Sequence, residues 1–198
     1  MIGNFYEHGP YRVDDELKLH SNPGSWNKRF GMLYTDNPVG TGFSIAEKDE
    51  DMPEDQAQAS VHLYSVVAQF FAEHPQLQPR PFFLAGESYA GKYVPAFAHH
   101  IVSIIEEREG EPFQRRSQLA LQEGHDSSDL PSRPFHLEGM VIGNGLTDPK
   151  IQVASHGQAA YQFGLIDWQM KEEVDRRAAA AVVLVEQEDW LAAHTAHT

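Results

Sequence analysis

The residues with the clearest chemical potential stand together as Gly86-Glu87-Ser88-Tyr89-Ala90-Gly91-Lys92, directly after the apolar run Phe82-Phe83-Leu84-Ala85. Two mechanisms compete for such a segment. One is a phosphate-cradling loop, G-x-x-x-x-G-K-[ST], which Gly86, Gly91 and Lys92 fit. The position that must hold Mg²⁺ through a small hydroxyl is Tyr93, and a phenol cannot take that place. The other is a nucleophile elbow, G-x-S-x-G, with Ala90 at the last small position. A serine hydroxyl that attacks a carbonyl must stand clear of the sheet. That takes a very tight strand-to-helix turn and a strained backbone at the serine. Residues two before and two after it must be small, and Gly86 and Ala90 are. The helix that follows aims backbone N–H groups at a developing oxyanion, with Tyr89 N–H as one donor. On the motif alone a blander reading stays open, a tight turn whose Ser88 caps the helix.

An elbow needs a strand before it and a helix after it. Residues 81–85, bounded by Pro and Gly, read as a buried strand. The next stretch reads as an amphipathic helix with Phe97, Ile101, Ile104 and Ile105 inward, and Pro95 fits the start of its main body after a short irregular turn. Upstream, 53–73 is the clearest helix. Ala57, Val61, Tyr64, Ala68 and Phe71 fall on one face, Leu63, Val67 and Phe70 widen it, and Pro75 ends it. Before Gly42 the chain reads as loops with short strands, including an apolar run at 32–35 that stops at Asp36-Asn37-Pro38. Residues 106–134 turn polar and read as a solvated loop or insertion. Phe135 to Ile142 returns to strand character and ends in Gly143-Asn144-Gly145; beyond Pro149 the pattern is helical. This order predicts an α/β fold with a mostly parallel sheet and flanking helices, its site at the C-terminal ends of the strands.

Composition narrows the function classes. The chain has 198 residues and 22.3 kDa, which suits one domain or a large part of one. A formal net charge of −14 argues against nucleic acid or an anionic membrane as the main partner. Eleven histidines make that charge strongly dependent on pH. Hydrophobic residues at 41% and aromatics at 11% are too many for a disordered chain. The longest apolar run, 178–185, falls far short of the roughly 20 residues of a membrane span. Cysteine is absent, which excludes disulfides, thiolate metal sites and a cysteine nucleophile within this chain. The first residues show no signal peptide, so the compartment stays open. The His99-His100 pair, and His194 with His197, have loose metal-like spacing but read as surface histidines; no metal or cofactor is expected.

The longer string Gly86-Glu87-Ser88-Tyr89-Ala90-Gly91-Lys92-Tyr93-Val94-Pro95 resembles the active-site serine segment of the serine carboxypeptidases, an α/β-hydrolase family. Four further elements follow that family's order. Phe5-Tyr6-Glu7-His8-Gly9-Pro10 is similar to F-x-E-x-G-P, and Asn22 to Asn27 to N-x-x-S-W-N. Asp36 to Ser44 is similar to D-x-P-x-G-x-G-F-S, and Gly143 to Pro149 to G-N-G-x-x-D-P. The vitellogenic-like branch is the nearest in pattern. The resemblance implies a single partial α/β-hydrolase domain over 1–198, with 150–198 beginning a helical cap.

It also implies roles. Ser88 would attack the last peptide bond of a substrate to give an acyl-enzyme, with Tyr89 N–H as an oxyanion donor. Glu7 and Glu87 stand where the family recognises the substrate's free C-terminal carboxylate. Two carboxyls close together keep one proton between them and can donate a hydrogen bond to that carboxylate, an ability lost as pH rises. Partners would be peptide or protein C-termini, and the family's addresses are secreted, vacuolar or lysosomal. Asp36, Asn144 and Asp148 would be scaffold, and Trp26 and Phe43 packing. In this fold the triad order is Ser, acid, His. No segment here resembles the family's acid or base; Asp167, Asp175, Asp189, His194 and His197 lie in helical or polar surroundings. The Gly-rich stretch that supplies a second oxyanion donor would precede Phe5. A partial member is therefore expected, with activity only in the complete protein. A serine carboxypeptidase-like acyltransferase and a non-catalytic remnant or binding module are the alternatives.

Overall fold

A computed structural model describes residues 2–109 and 135–197. They form two compact units, residues up to 80 with 99–136, and 81–98 with residues from 137 onward.

The first unit opens with a short π-type helical turn, Gly3–Glu7, then a hairpin of β1 (Tyr11–Val13) and β2 (Leu19–Ser21), paired antiparallel with Arg12 opposite His20. Residues 32–35, expected as a strand, carry no regular structure. An apolar run becomes a strand only where another strand accepts its hydrogen bonds, and none of the described residues does so here. The Asp36 turn closes locally instead. Its carboxylate accepts from Phe43 N–H (2.9 Å) and its carbonyl from Ser44 Oγ (2.6 Å).

Helix α1 (Gln56–Glu73) starts at Asp55, whose carboxylate accepts from Gln58 N–H at 2.8 Å. Its buried residues are Ala59, Ser60, Val67 and Phe71, whereas Ala57 and Val61 face solvent. The inward face is thus rotated from the predicted one, around the Tyr64 and Phe71 rings, which meet Phe135 at 5.9 and 5.2 Å.

The second unit holds β3 (Pro81–Glu87), paired in parallel with β4 (His136–Gly143). The expected buried strand is buried on one side only. Leu84 is inside and Phe83 is 56% exposed, the alternation of a strand with one covered face. Helix α2 (Ala90–Glu109) begins right after the turn, not at Pro95; the proline lies inside it, in the second turn, where it forfeits one bond to the Gly91 carbonyl. Phe97, Ile101 and Ile105 are buried as expected, and Ile104 half-buried. Of the predicted polar segment, 106–109 is helical and 110–134 lies outside the described residues.

Three helices follow: α3 (Pro149–Gln162), α4 (Trp168–Glu186) and α5 (Trp190–His197). Asp148 caps α3, with Pro149 at its first position, and Asp167 caps α4. Val153, Ala178 and Ala181 form their shared core. No described helix is long and apolar enough to cross a membrane.

Candidate active site at a strand-to-helix elbow

β3 ends at Glu87 and α2 begins at Ala90, so Ser88 and Tyr89 alone make the turn. Ser88 has φ +59°, in the left-handed region that favours glycine. For a residue with a Cβ that conformation costs about 1–2 kcal/mol and persists only where neighbours impose it. The imposing contacts are explicit. Ser88 N–H donates to the Gly143 carbonyl at 3.0 Å, and the Ser88 carbonyl accepts from Leu146 N–H at 2.9 Å and Gly91 N–H at 3.0 Å. The residue is exposed, and its hydroxyl hydrogen-bonds no described residue.

The size constraint is equally explicit. A Cβ on Gly86 would strike the Ala90 methyl and stand 2.9 Å from Val94 Cγ2. A Cβ on Gly91 would stand 2.7 Å from Leu146 N and 2.8 Å from the Gly145 carbonyl carbon. The elbow is therefore pressed from both sides, by α2's first turns and by the loop after β4.

Tyr89 N–H donates to no acceptor among the described residues and stands at the positive end of a 20-residue helix. The Tyr89 ring meets the Tyr93 ring edge-on at 5.0 Å. Burial, and then the neighbouring Tyr89, pushes the Tyr93 phenol above its ordinary value of 10.0 and keeps it neutral. Glu87, the last residue of β3, is exposed at the same strand end. Glu87, Ser88 and Tyr89 belong to the second unit, and Glu7 belongs to the first. Glu7 closes the short helical turn there with its side chain exposed.

Sequence reading missed what holds Glu7. Asn22 is 1% exposed, and its Nδ2 donates to the Glu7 carbonyl at 2.8 Å and the Gly9 carbonyl at 2.9 Å; its Oδ1 accepts from Gly24 N–H at 3.0 Å. Only its place in the N-x-x-S-W-N element signals a fixed role. Asn22→Ala takes this donor from the Glu7 and Gly9 carbonyls, the second of them buried. The expected cost is about 2–4 kcal/mol, read as a lower denaturation midpoint with an unchanged m-value. A loss under about 0.5 kcal/mol, the size of an ordinary surface substitution, would show that the clamp is dispensable.

Most of the remaining candidates take structural parts. Trp26 stacks on His8 at 4.7 Å, whereas Phe43, expected as packing, is 78% exposed and turns to solvent. Asn144 takes φ +46° in the loop after β4, and Asp148 caps α3. Asp167 and Asp189 accept helix-start N–H groups of Met170 (2.8 Å) and Ala192 (3.1 Å), and Asp175 pairs with Lys171. Among the described residues no three His, Asp or Glu side chains gather as a metal site would require.

Residues 1–196 match the family described as serine carboxypeptidase. The chain is 39% identical to Serine carboxypeptidase-like 50 of Arabidopsis thaliana, over all of this chain and 39% of that protein. It is 33% identical to Vitellogenic carboxypeptidase of Aedes aegypti, over 98% of this chain and 36% of that one. Among solved structures, the prohormone-processing carboxypeptidase Kex1(delta)p of Saccharomyces cerevisiae superposes with a TM-score of 0.71 at 29% identity, over 94% of this chain and 36% of that chain. The chain thus spans about two fifths, or less, of the length of these relatives.

Proposed function

The chain belongs to the serine carboxypeptidase family, and from that membership we propose that it carries the nucleophile and part of the substrate-carboxylate site of a serine-type carboxypeptidase. The observation that carries the reading is Ser88: exposed, at φ +59°, between the end of β3 and the start of α2. In the proposed reaction Ser88 Oγ bonds to the acyl carbon of the last peptide bond. A general base takes the hydroxyl proton and returns it to the departing amine, and water then cleaves the ester. Tyr89 N–H donates to the oxyanion. Glu87 and Glu7 are the proposed recognition carboxyls for the substrate's free carboxylate.

Activity on this reading belongs to a polypeptide of the relatives' length. The 198-residue chain by itself is expected to hydrolyse no peptide measurably, because an unassisted serine stays a neutral alcohol. In the longer protein, peptide hydrolysis should fall as pH rises from about 5 to about 8, since a carboxyl pair donates a hydrogen bond only while it holds a proton. The sign is specific: acid preserves the donor and base removes it. The test compares C-terminally free and amidated peptides, with an activated acyl ester plus an alcohol alongside, across that pH range. Preferential release of the C-terminal residue from the free peptide at acid pH supports the reading. Acyl transfer to the alcohol without peptide release makes the protein an acyltransferase, and a flat pH profile removes the carboxyl pair from the mechanism.

A further inference from the structure

We infer that Gln152 is a positioning residue for Ser88, acting through the loop that follows β4. The inference rests on the reading of Ser88 as the nucleophile. Ser88 cannot hold φ +59° unaided, and one of its holds, Leu146 N–H on the Ser88 carbonyl at 2.9 Å, comes from residues 144–148, a loop without regular structure. Something must fix that loop in turn.

Gln152, half-buried in the first turn of α3, commits its whole carboxamide to it. Oε1 accepts from Thr147 N–H at 2.7 Å and Asp148 N–H at 2.9 Å, and Nε2 donates to the Gly145 carbonyl at 2.7 Å. These bonds fall on both sides of Leu146, so the amide that reaches Ser88 is held from either neighbour. From α2, Lys92 Nζ adds a bond to the Thr147 carbonyl at 2.6 Å. The lysine that invited a phosphate-loop reading is engaged with this loop. Glutamine suits the strut because it offers an acceptor and a donor at once. Glutamate keeps only the acceptor, and leucine neither.

A plainer role exists: reaching back to the N-cap backbone, Gln152 resembles one half of a capping box that merely starts α3. The two roles predict different damage. Loss of a cap frays the first turn of α3. Loss of a strut frees Leu146 and Ser88.

The test uses the protein at full natural length, unsubstituted and as Gln152→Leu and Gln152→Glu. One readout is amide hydrogen exchange at Ser88, Leu146 and Ile151. The other is the rate of labelling by a fluorophosphonate, in which a serine oxygen displaces fluoride from phosphorus, normalised to folded protein. Gln152→Leu is expected to speed exchange at Ser88 and Leu146 about tenfold or more and to slow labelling about 10- to 100-fold, the scale of a small nucleophile displacement. Gln152→Glu should fall between. Faster exchange confined to Ile151, with Ser88, Leu146 and labelling unchanged, would overturn the strut and leave a cap. Faster exchange at Ser88 and Leu146 in a protein that never labels would uphold the strut and remove Ser88 as the nucleophile.

Discussion

Ser88→Ala in the full-length protein is expected to eliminate fluorophosphonate labelling and to lower peptide turnover by about 10⁴- to 10⁶-fold, with KM for the peptide little changed. The asymmetry follows from what the side chain does. Its hydroxyl hydrogen-bonds no described residue, so its removal breaks no internal hydrogen bond and leaves the elbow's backbone ties in place. It should therefore cost chemistry and almost no stability. Ser88→Gly makes the converse point. It is equally inactive, yet it relieves the positive φ and should raise stability by about 0.5–1 kcal/mol after the extra unfolded-state freedom of glycine is counted. A nucleophile whose deletion stabilises the fold is the mark of strain retained for function. Denaturation midpoints of the three proteins beside their labelling rates test it. Labelling that survives in Ser88→Ala would place the reactive residue elsewhere.

The elbow was legible in the sequence because its constraints are local. A serine pushed out of a tight bend needs small residues two before and two after, and Gly86 and Ala90 meet within one turn of chain. The strand before it and the helix after it were legible for the same reason, since both follow from periodicity over a few residues. What failed depended on neighbours. The run 32–35 has strand composition but no described partner, and β3 is covered on one face where its composition suggested two. Pro95 was read as a start because proline disfavours helix interiors, yet the need to bring α2's first N–H groups up to Ser88 pulled the start back to Ala90. Asn22 and Gln152 were illegible as supports. Each acts by side chain on the backbone of a turn, and no spacing rule shows which carbonyl a carboxamide will meet. The charge reading reaches less far. The −14 net charge bears on the choice of partner and carries no information about the elbow.

The second large effect concerns Gly91, where two rules give opposite signs. By helix propensity alone Gly91→Ala, in the first turn of α2, should stabilise the protein by up to about 1 kcal/mol. By packing it should do the reverse. The new methyl would stand 2.7 Å from Leu146 N and 2.8 Å from both the Gly145 and Leu146 carbonyl carbons. These are backbone atoms, and they cannot turn aside as a side-chain tip can. The same Leu146 N–H holds the Ser88 carbonyl, so relief of the clash must move either α2 or the loop off the elbow. Overpacking of this kind costs about 1–3 kcal/mol, enough to reverse the propensity gain. The expected result is a net loss of about 1–2 kcal/mol and labelling slowed roughly 100-fold through displacement of Ser88. Gly31→Ala is the control, because nothing lies within 4 Å of a Cβ there. Its stability and labelling should stay at the parent's level. If Gly91→Ala instead matches the control in both measurements, the loop is free to retreat. The elbow is then held by its own turn and not by the segment after β4.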